Sequence, residues 1–382
     1  MKSSNPGPDR ILIAGAGGIA EAAALLLAEW SLEPVSIFIG NRTLAKAQHV
    51  AAWVEAGVSK PCKVTPFHLP EKGLGPDAEV VFRGGGVLLD CLPGGQAPRM
   101  ATLARDFGLH YANLTEYMAE TNEIMAIAKD AGTGFVLQTG LAPGYIDVLA
   151  HGLFRQFCAD FGVEKVDKIE MKVGALTDHA VAPHYYGFTW SPVGVATEYL
   201  KNAEVLRDFQ KKELPALSER SRILIDGIAY EDDLTSGGAA DLPQALAGKV
   251  RSLDYKTLRH PGHYAWIQEQ LDAMGDTADP IAALQQRMEA VVPHMEDDRV
   301  VLYAAVEGRD AGGTLQRRET AKLIRPLIVG KHRLRAIQTT TAVPLLESAI
   351  VLLEGKHRGV VLQSQLDPTR FLEGYFVKKV YG

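Results

Sequence analysis

Short apolar runs alternate with segments of helical periodicity through the first third of the chain. ILIAGAG (residues 11–17), VSIFIGN (35–41), VLLDCLP (87–93), HYANLT (110–115) and GFVLQTG (134–140) are near-continuous apolar stretches, the pattern of buried strands. Between them, residues 19–30, 43–56, 97–107 and 117–131 repeat apolar side chains every three or four positions, which predicts helices. Strand and helix in regular order predict a parallel sheet, because parallel neighbours need crossovers of about a dozen residues. After Gly144 the pattern changes. KVDKIEMKVGAL (165–176), RVVLYAAVEG (299–308) and LQRRETAKLIRPLIVG (315–330) alternate or run β-branched, as half-buried antiparallel strands do, with long irregular stretches between them. TSGGAADLP (235–243) is the clearest loop. TTTAVPLLESAIVLLEGKHRG (339–359) reads as a helix with an apolar face despite Pro344, followed by a polar tail.

Composition narrows this picture. A chain of 382 residues exceeds what one core normally supports, so two domains are expected, and 47% hydrophobic with 23% charged residues is the profile of a folded protein. A net charge of -6 offers no positive field for nucleic acid or anionic lipid, so neither is expected as a partner. Cys62, Cys91 and Cys158 are widely spaced, with no metal-ligand pattern, and no metal is expected. The polar, Pro/Gly-rich opening MKSSNPGPDR leads into an apolar run broken early by glycines, which predicts neither a signal segment nor a membrane span and reads as a cytoplasmic protein.

The first candidate site is GAGGIA, a GxGxxA pattern placed between a predicted strand and a predicted helix. Gly15 suits the tight turn, Gly17 lets the backbone approach a pyrophosphate, Ala20 permits close helix packing, and Gly18 and Ile19 offer amides at the helix start. The second strand ends in GNRT, with no carboxylate for an NAD ribose. Arg42 can pair with a 2′-phosphate while Asn41 and Thr43 hydrogen-bond it, so NADP is expected over NAD, which stays possible. Leu92 and Pro93, in DCLPGG after a further strand, are expected to line the cofactor's ribose.

Three later stretches, GLAPGYIDVLA (140–150), FTWSPVGVATEYL (188–200) and YKTLRHPGHYAWI (255–267), join GAGGIA and the terminal helix in a resemblance to the saccharopine dehydrogenase family. That family includes saccharopine reductases, lysine 6-dehydrogenases and carboxynorspermidine dehydrogenases. APG (142–144), WSPVG (190–194) and LRHPGH (258–263) are the specific parts of the resemblance, which spans nearly the whole chain. It implies a Rossmann dinucleotide-binding domain (residues 1–145 and 338–382) and an inserted α+β domain (146–337) with a mainly antiparallel sheet that binds substrate and mediates dimer contacts. It also implies hydride transfer at an amino-acid C–N bond. A polyamine-condensing reductase is one alternative, for which Glu231, Asp232 and Asp233 of YEDD would line the site unless they form a solvated turn. A cofactor-binding sensor without catalysis is the other.

Arg259, in the stiffened LRHPGH turn, is the candidate for holding a substrate carboxylate, with His263 and Trp190 beside substrate. Pro143 is expected at the cofactor, and Gly144 and Tyr145 follow it at a predicted helix start, where free amides can meet the substrate or the nicotinamide portion, while Asp147 reads as a dipole-compensating residue. For the proton that leaves the amine, the candidates are Glu116, Tyr117 and His260. His179 and His184 lie in a predicted loop.

Overall fold

The computed structural model describes residues 9–382; the polar opening discussed above lies, but for its last two residues, outside them. The chain forms two compact units, one of residues 1–141, 327–334 and 338–382, the other of 142–326 and 335–337. In chain order the first contributes β1 (Asp9–Ala14), α1 (Gly18–Trp30), β2 (Val35–Asn41), α2 (Leu44–Gly57), β3 (Val64–His68), α3 (Pro76–Arg83), β4 (Val87–Asp90), α4 (Ala97–Asp106), β5 (His110–Asn113), α5 (Met118–Ala128) and β6 (Gly134–Val136). The second contributes α6 (Tyr145–Phe161), β7 (Val166–Leu176), α7 (Pro192–Leu200), β8 (Ala203–Arg207), β9 (Gln210–Leu214), β10 (Ser221–Ile225), β11 (Ile228–Leu234), α8 (Leu242–Ala245), β12 (Val250–Arg259), α9 (His263–Met274), α10 (Pro280–Glu289), β13 (Arg299–Arg309) and β14 (Leu315–Ile324). The chain then runs through β15 (Leu327–Val329), β16 (His332–Leu334), α11 (Ala336–Leu353), β17 (Gly359–Val361), α12 (Pro368–Leu372) and α13 (Tyr375–Tyr381).

The first unit is a doubly wound parallel sheet of order β17-β6-β5-β4-β1-β2-β3. The strand order reverses beside β1, and in such sheets ligands bind at the carboxyl ends of the strands at that reversal. Every side chain of Ala22 to Leu27 in α1 is buried, as the alanine-rich run demands. β3 is absent from the pattern-based reading, because VTPFH is short and carries Pro66.

α11 is long and apolar enough to cross a bilayer, but 83% of its apolar window is buried in the protein. Its Pro344 has no N–H for the Thr340 carbonyl one turn back, and the Tyr381 hydroxyl donates to that carbonyl at 2.6 Å. The helix therefore continues through a residue that ordinarily breaks one.

The second unit's main sheet has the path β10-β11-β12-β7-β13-β14, antiparallel except between β7 and β12. The expected irregular stretch between β7 and β13 is instead largely strands and helices. β9, QKKEL, is almost wholly exposed, so it shows no apolar period. YEDD is no solvated turn: it lies in β11, where Glu231, Asp232 and Asp233 are all buried. The domain boundary also moves. Residues 327–334, expected in the second domain, belong to the first unit: the His332 ring stacks on Trp53 at 4.0 Å and the Lys331 amide donates to the Gly57 carbonyl at 2.7 Å.

Candidate active site

At the end of β1 the chain turns at Gly15, whose φ of +115° and whose place against β4 both require glycine; a Cβ there would stand 3.0 Å from the Cys91 carbonyl oxygen. Gly17 is different. It caps α1 with an ordinary φ of -101°, and a Cβ added to it meets no described atom within 4 Å. One glycine serves the turn; the other leaves space above the first amides of α1, those of Gly18 and Ile19, which have no partner within the helix. That cradle fits a pyrophosphate.

Beyond β2, Arg42 and Thr43 are exposed, and Asn41 Nδ2 donates to the Thr43 carbonyl at 3.1 Å. Arg42 forms an ion pair with Glu71, and the Thr43 hydroxyl makes no cap bond to α2. Beyond β4, Leu92 is half-buried and Pro93 exposed. Their loop hangs on Asp90, a residue the sequence reading passed over: its Oδ1 accepts the Leu92 amide at 3.0 Å and its Oδ2 accepts the Tyr111 hydroxyl at 2.8 Å. Burial pushes the Asp90 carboxyl up to about 6, against the pull of those two bonds and of Arg99. Beyond β5 come Thr115, buried, and Glu116 and Tyr117, both half-buried; a Cβ on Gly94 would lie 2.7 Å from Thr115 Oγ1 and from the Tyr117 ring. The loops after β4 and β5 thus abut along the carboxyl edge of the sheet.

The second unit opens on a cis Ala142–Pro143 peptide, with Pro143 buried, and on Gly144 at φ +133°. The expected free amide at Gly144 is not free: Asp147 Oδ2 accepts it at 2.7 Å, closing the N-terminus of α6. Tyr145 is 2% exposed and packs inward. In WSPVG, Ser191 caps α7 by accepting the Gly194 amide at 3.3 Å, and Gly194 has no side chain because a Cβ would stand 2.3 Å from the half-buried Trp190 ring.

Arg259 stands inside the second unit. It is 1% exposed, its Nε donates to Tyr199 Oη at 2.6 Å and its Nη1 to the Leu258 carbonyl at 3.0 Å. Its guanidinium lies 4.8 Å from the Tyr186 ring centre, and Nη2 is 3.9 Å from Glu198. Nε and Nη1 are committed inside the unit, whereas the buried Nη2 has no hydrogen-bond partner among the described residues and keeps a donor for a carboxylate. Arg259 also positions Tyr199, whose hydroxyl lies 2.9 Å from His263 Nε2, while His263 Nδ1 lies 2.7 Å from the His184 carbonyl. The carbonyl can only accept, so Nδ1 carries the proton and Nε2 accepts from Tyr199. Burial, then the Arg259 charge, hold His263 well below its ordinary pKa, hence neutral. His263 is fully buried too, with both ring nitrogens engaged by Tyr199 and the His184 carbonyl.

His260 is half-buried. Its Nε2 gives a proton to the Thr177 carbonyl at 2.9 Å, which leaves Nδ1 as the basic nitrogen, and burial lowers its pKa. His179 is exposed against Asp297, and His184 is buried beside Trp266. The three YEDD carboxylates are committed: Glu231 to Arg222 and the Gly262 amide, Asp232 to Lys172 at 2.8 Å and Lys256 at 3.4 Å, Asp233 to the Glu219 and Leu234 amides.

A doubly wound sheet with a glycine cradle, followed by a mixed-sheet α+β unit, defines an oxidoreductase fold that binds a nicotinamide dinucleotide. More narrowly, the chain belongs to the saccharopine dehydrogenase family: residues 11–136 match its NADP binding domain and residues 140–377 its C-terminal domain. Among solved structures it is similar to apo saccharopine dehydrogenase (L-Glu forming) from Saccharomyces cerevisiae, at 16% identity over 96% of each chain and a TM-score of 0.73. It is also similar to the homospermidine synthase of Legionella pneumophila in complex with NAD, at 14% identity over 98% of this chain and 90% of that one, with a TM-score of 0.63. At these identities the likeness establishes the fold.

Proposed function

We propose that this protein is an NADP-dependent oxidoreductase of amino-acid C–N bonds, acting on saccharopine or on lysine-derived aminoadipate semialdehyde chemistry. The observation that carries the cofactor half is the open space over Gly17, which no described side chain or backbone atom fills. The substrate half extends the family membership and the activity of the yeast relative to this chain. The dinucleotide, when bound, supplies the hydride acceptor or donor.

The chain's own residues do the rest. The amides of Gly18 and Ile19 hold the pyrophosphate, and Leu92 and Pro93 line the ribose. Arg42 exchanges Glu71 for the 2′-phosphate, with the Thr43 hydroxyl beside it. His260, neutral and fixed in one tautomer, accepts the amine proton on Nδ1 and releases it to solvent; neutral again, it accepts a proton from the water that adds to the imine carbon and passes that proton to the departing amine nitrogen. Arg259 keeps Tyr199 and His263 in register from behind. A polyamine substrate is disfavoured because the carboxylates that would receive its ammonium groups are bound to lysine, arginine and backbone partners. A homodimer through the second unit completes the proposal.

The test is a fluorescence titration with NADPH and NADH, followed by absorbance assays at the reduced-nicotinamide band. Substrates are saccharopine, lysine, and aminoadipate semialdehyde with glutamate, with a diamine as contrast. Turnover with an amino-acid substrate, tighter NADPH than NADH binding, and loss of that preference in Arg42→Ala are expected. Binding without turnover on any substrate overturns the enzyme reading and leaves a cofactor sensor.

A further inference from the structure

Next to the Leu92 loop, the carboxyl edge of the first unit carries hydrogen-bonding atoms that nothing among the described residues satisfies. Asn113, Thr115 and Gln138 are 1%, 8% and 2% exposed, and Asn113 Nδ2, Thr115 Oγ1 and Gln138 Nε2 have no hydrogen-bond partner among the described residues. The orientation of the Asn113 amide is fixed, because its Oδ1 accepts the Gln138 backbone amide at 2.9 Å; Nδ2 is therefore the unsatisfied atom and a donor. Tyr111, two residues before it, donates its hydroxyl to Asp90 at 2.8 Å and lies beside the Asn113 side chain. Gln138 is held at φ +61°, left-handed backbone that a non-glycine residue seldom adopts, just past the end of β6. Buried donors without acceptors are costly, and native proteins keep few of them except where a ligand completes the set.

The sheet order says which part of a ligand arrives there. With the pyrophosphate on the loop after β1 and the adenosine side over β2, the other half of a dinucleotide extends over β4, β5 and β6. Strands are about 4.8 Å apart, so β5 and β6 stand about 10 and 14 Å from β1, within the span of an extended dinucleotide. The group at that end with an oxygen able to accept two hydrogen bonds, and an amino group able to give one, is the nicotinamide carboxamide.

We propose that Asn113 Nδ2 and Gln138 Nε2 donate to the carboxamide oxygen of the nicotinamide and that Thr115 Oγ1 receives its amino group. Ring rotation is thereby stopped and one face of the ring is presented for hydride transfer. The inference rests on the dinucleotide reading given above.

The test compares ligands that differ only at that group. Dissociation constants for NADP, thionicotinamide adenine dinucleotide phosphate and 2′-phospho-ADP-ribose, which lacks the ring, are measured by calorimetry on the full chain and on Asn113→Asp and Gln138→Met. Asn113→Asp keeps the acceptor for the Gln138 amide and removes the donor. Each variant is expected to bind NADP about fivefold more weakly, the thio analogue less than twofold more weakly, and 2′-phospho-ADP-ribose as the parent protein does. Equal weakening for NADP and the thio analogue, or no weakening for either, overturns the assignment. An equal loss for 2′-phospho-ADP-ribose overturns it as well, because the residues then serve the cradle's folding. A parent protein that binds none of the three ligands refutes the dinucleotide reading itself, and this inference with it.

Discussion

Asp90 makes a quantitative claim about pH. Its folded-state pKa is raised from 3.8 to about 6, chiefly by burial, so its contribution to stability is fully present below the unfolded value and is lost as pH rises through about 6. A shift of about 2 units corresponds to about 3 kcal/mol once both states are ionised, at about 1.4 kcal/mol per unit. Weighting the two titration curves, about 1.4 kcal/mol of this falls between pH 5 and pH 8. Asp90→Asn stands in for the permanently protonated acid and keeps an oxygen for the Leu92 amide. Urea unfolding of both proteins at pH 5 and pH 8, at one ionic strength, should show the variant gaining about 1.4 kcal/mol on the parent between the two. Asp147, Asp233, Asp254 and Asp298 are also raised by burial, but they are common to both proteins and cancel in the difference. A difference between the two proteins that is the same at both pH values refutes the reasoning.

Gly17→Ala puts a methyl group into the open space of the cradle: folding stability should stay within about 1 kcal/mol, while NADPH affinity drops at least tenfold, and retained affinity would show that no anion sits there. Gly15→Ala should instead lower the unfolding midpoint as well, since φ is +115° and the new carbon meets the Cys91 carbonyl at 3.0 Å; a midpoint equal to that of Gly17→Ala contradicts this. Asp232→Asn removes the carboxylate shared by the buried Lys172 and Lys256, which keep Glu170 and the Glu219 carbonyl, and should cost about 2 kcal/mol in urea unfolding, partly recovered by adding Lys172→Met; a loss under about 0.5 kcal/mol says the ion cluster is not needed. Tyr381→Phe removes the donor to the Thr340 carbonyl and should cost about 1 kcal/mol by the same measurement, with no loss if α11 passes Pro344 without help.

The doubly wound half was legible because its elements obey strong local rules. Val35–Asn41 begins and ends where its apolar run does, and the predicted helices over residues 19–30, 43–56, 97–107 and 117–131 are all present within a few residues. The second half was less legible. Strands such as β9 face outward with lysine and glutamine, and β11 carries three consecutive carboxylates that become buried only because Lys172, Lys256, Arg222 and backbone amides arrive from elsewhere in the fold. No window of the sequence contains that information.

The motifs that carry the resemblance are rich in residues that shape the backbone. APG, WSPVG and LRHPGH are distinctive, yet what most of their residues do is set backbone geometry. Gly144 sits at φ +133° with its amide closed by Asp147; Gly194 makes room for Trp190; Gly262, at φ +99°, makes room for the Tyr185 ring, which a Cβ would approach to 2.7 Å. Arg259 holds Tyr199 and the Leu258 carbonyl through Nε and Nη1, while its buried Nη2 has no hydrogen-bond partner among the described residues. Unmet bonding capacity is also found in residues without a motif: Asn113 in HYANLT and Gln138 in GFVLQTG stand at the ends of apolar runs, where a polar residue looks like the close of a strand. Only the fold shows that both strands end beside one another and that a backbone amide fixes which atom of Asn113 is left over.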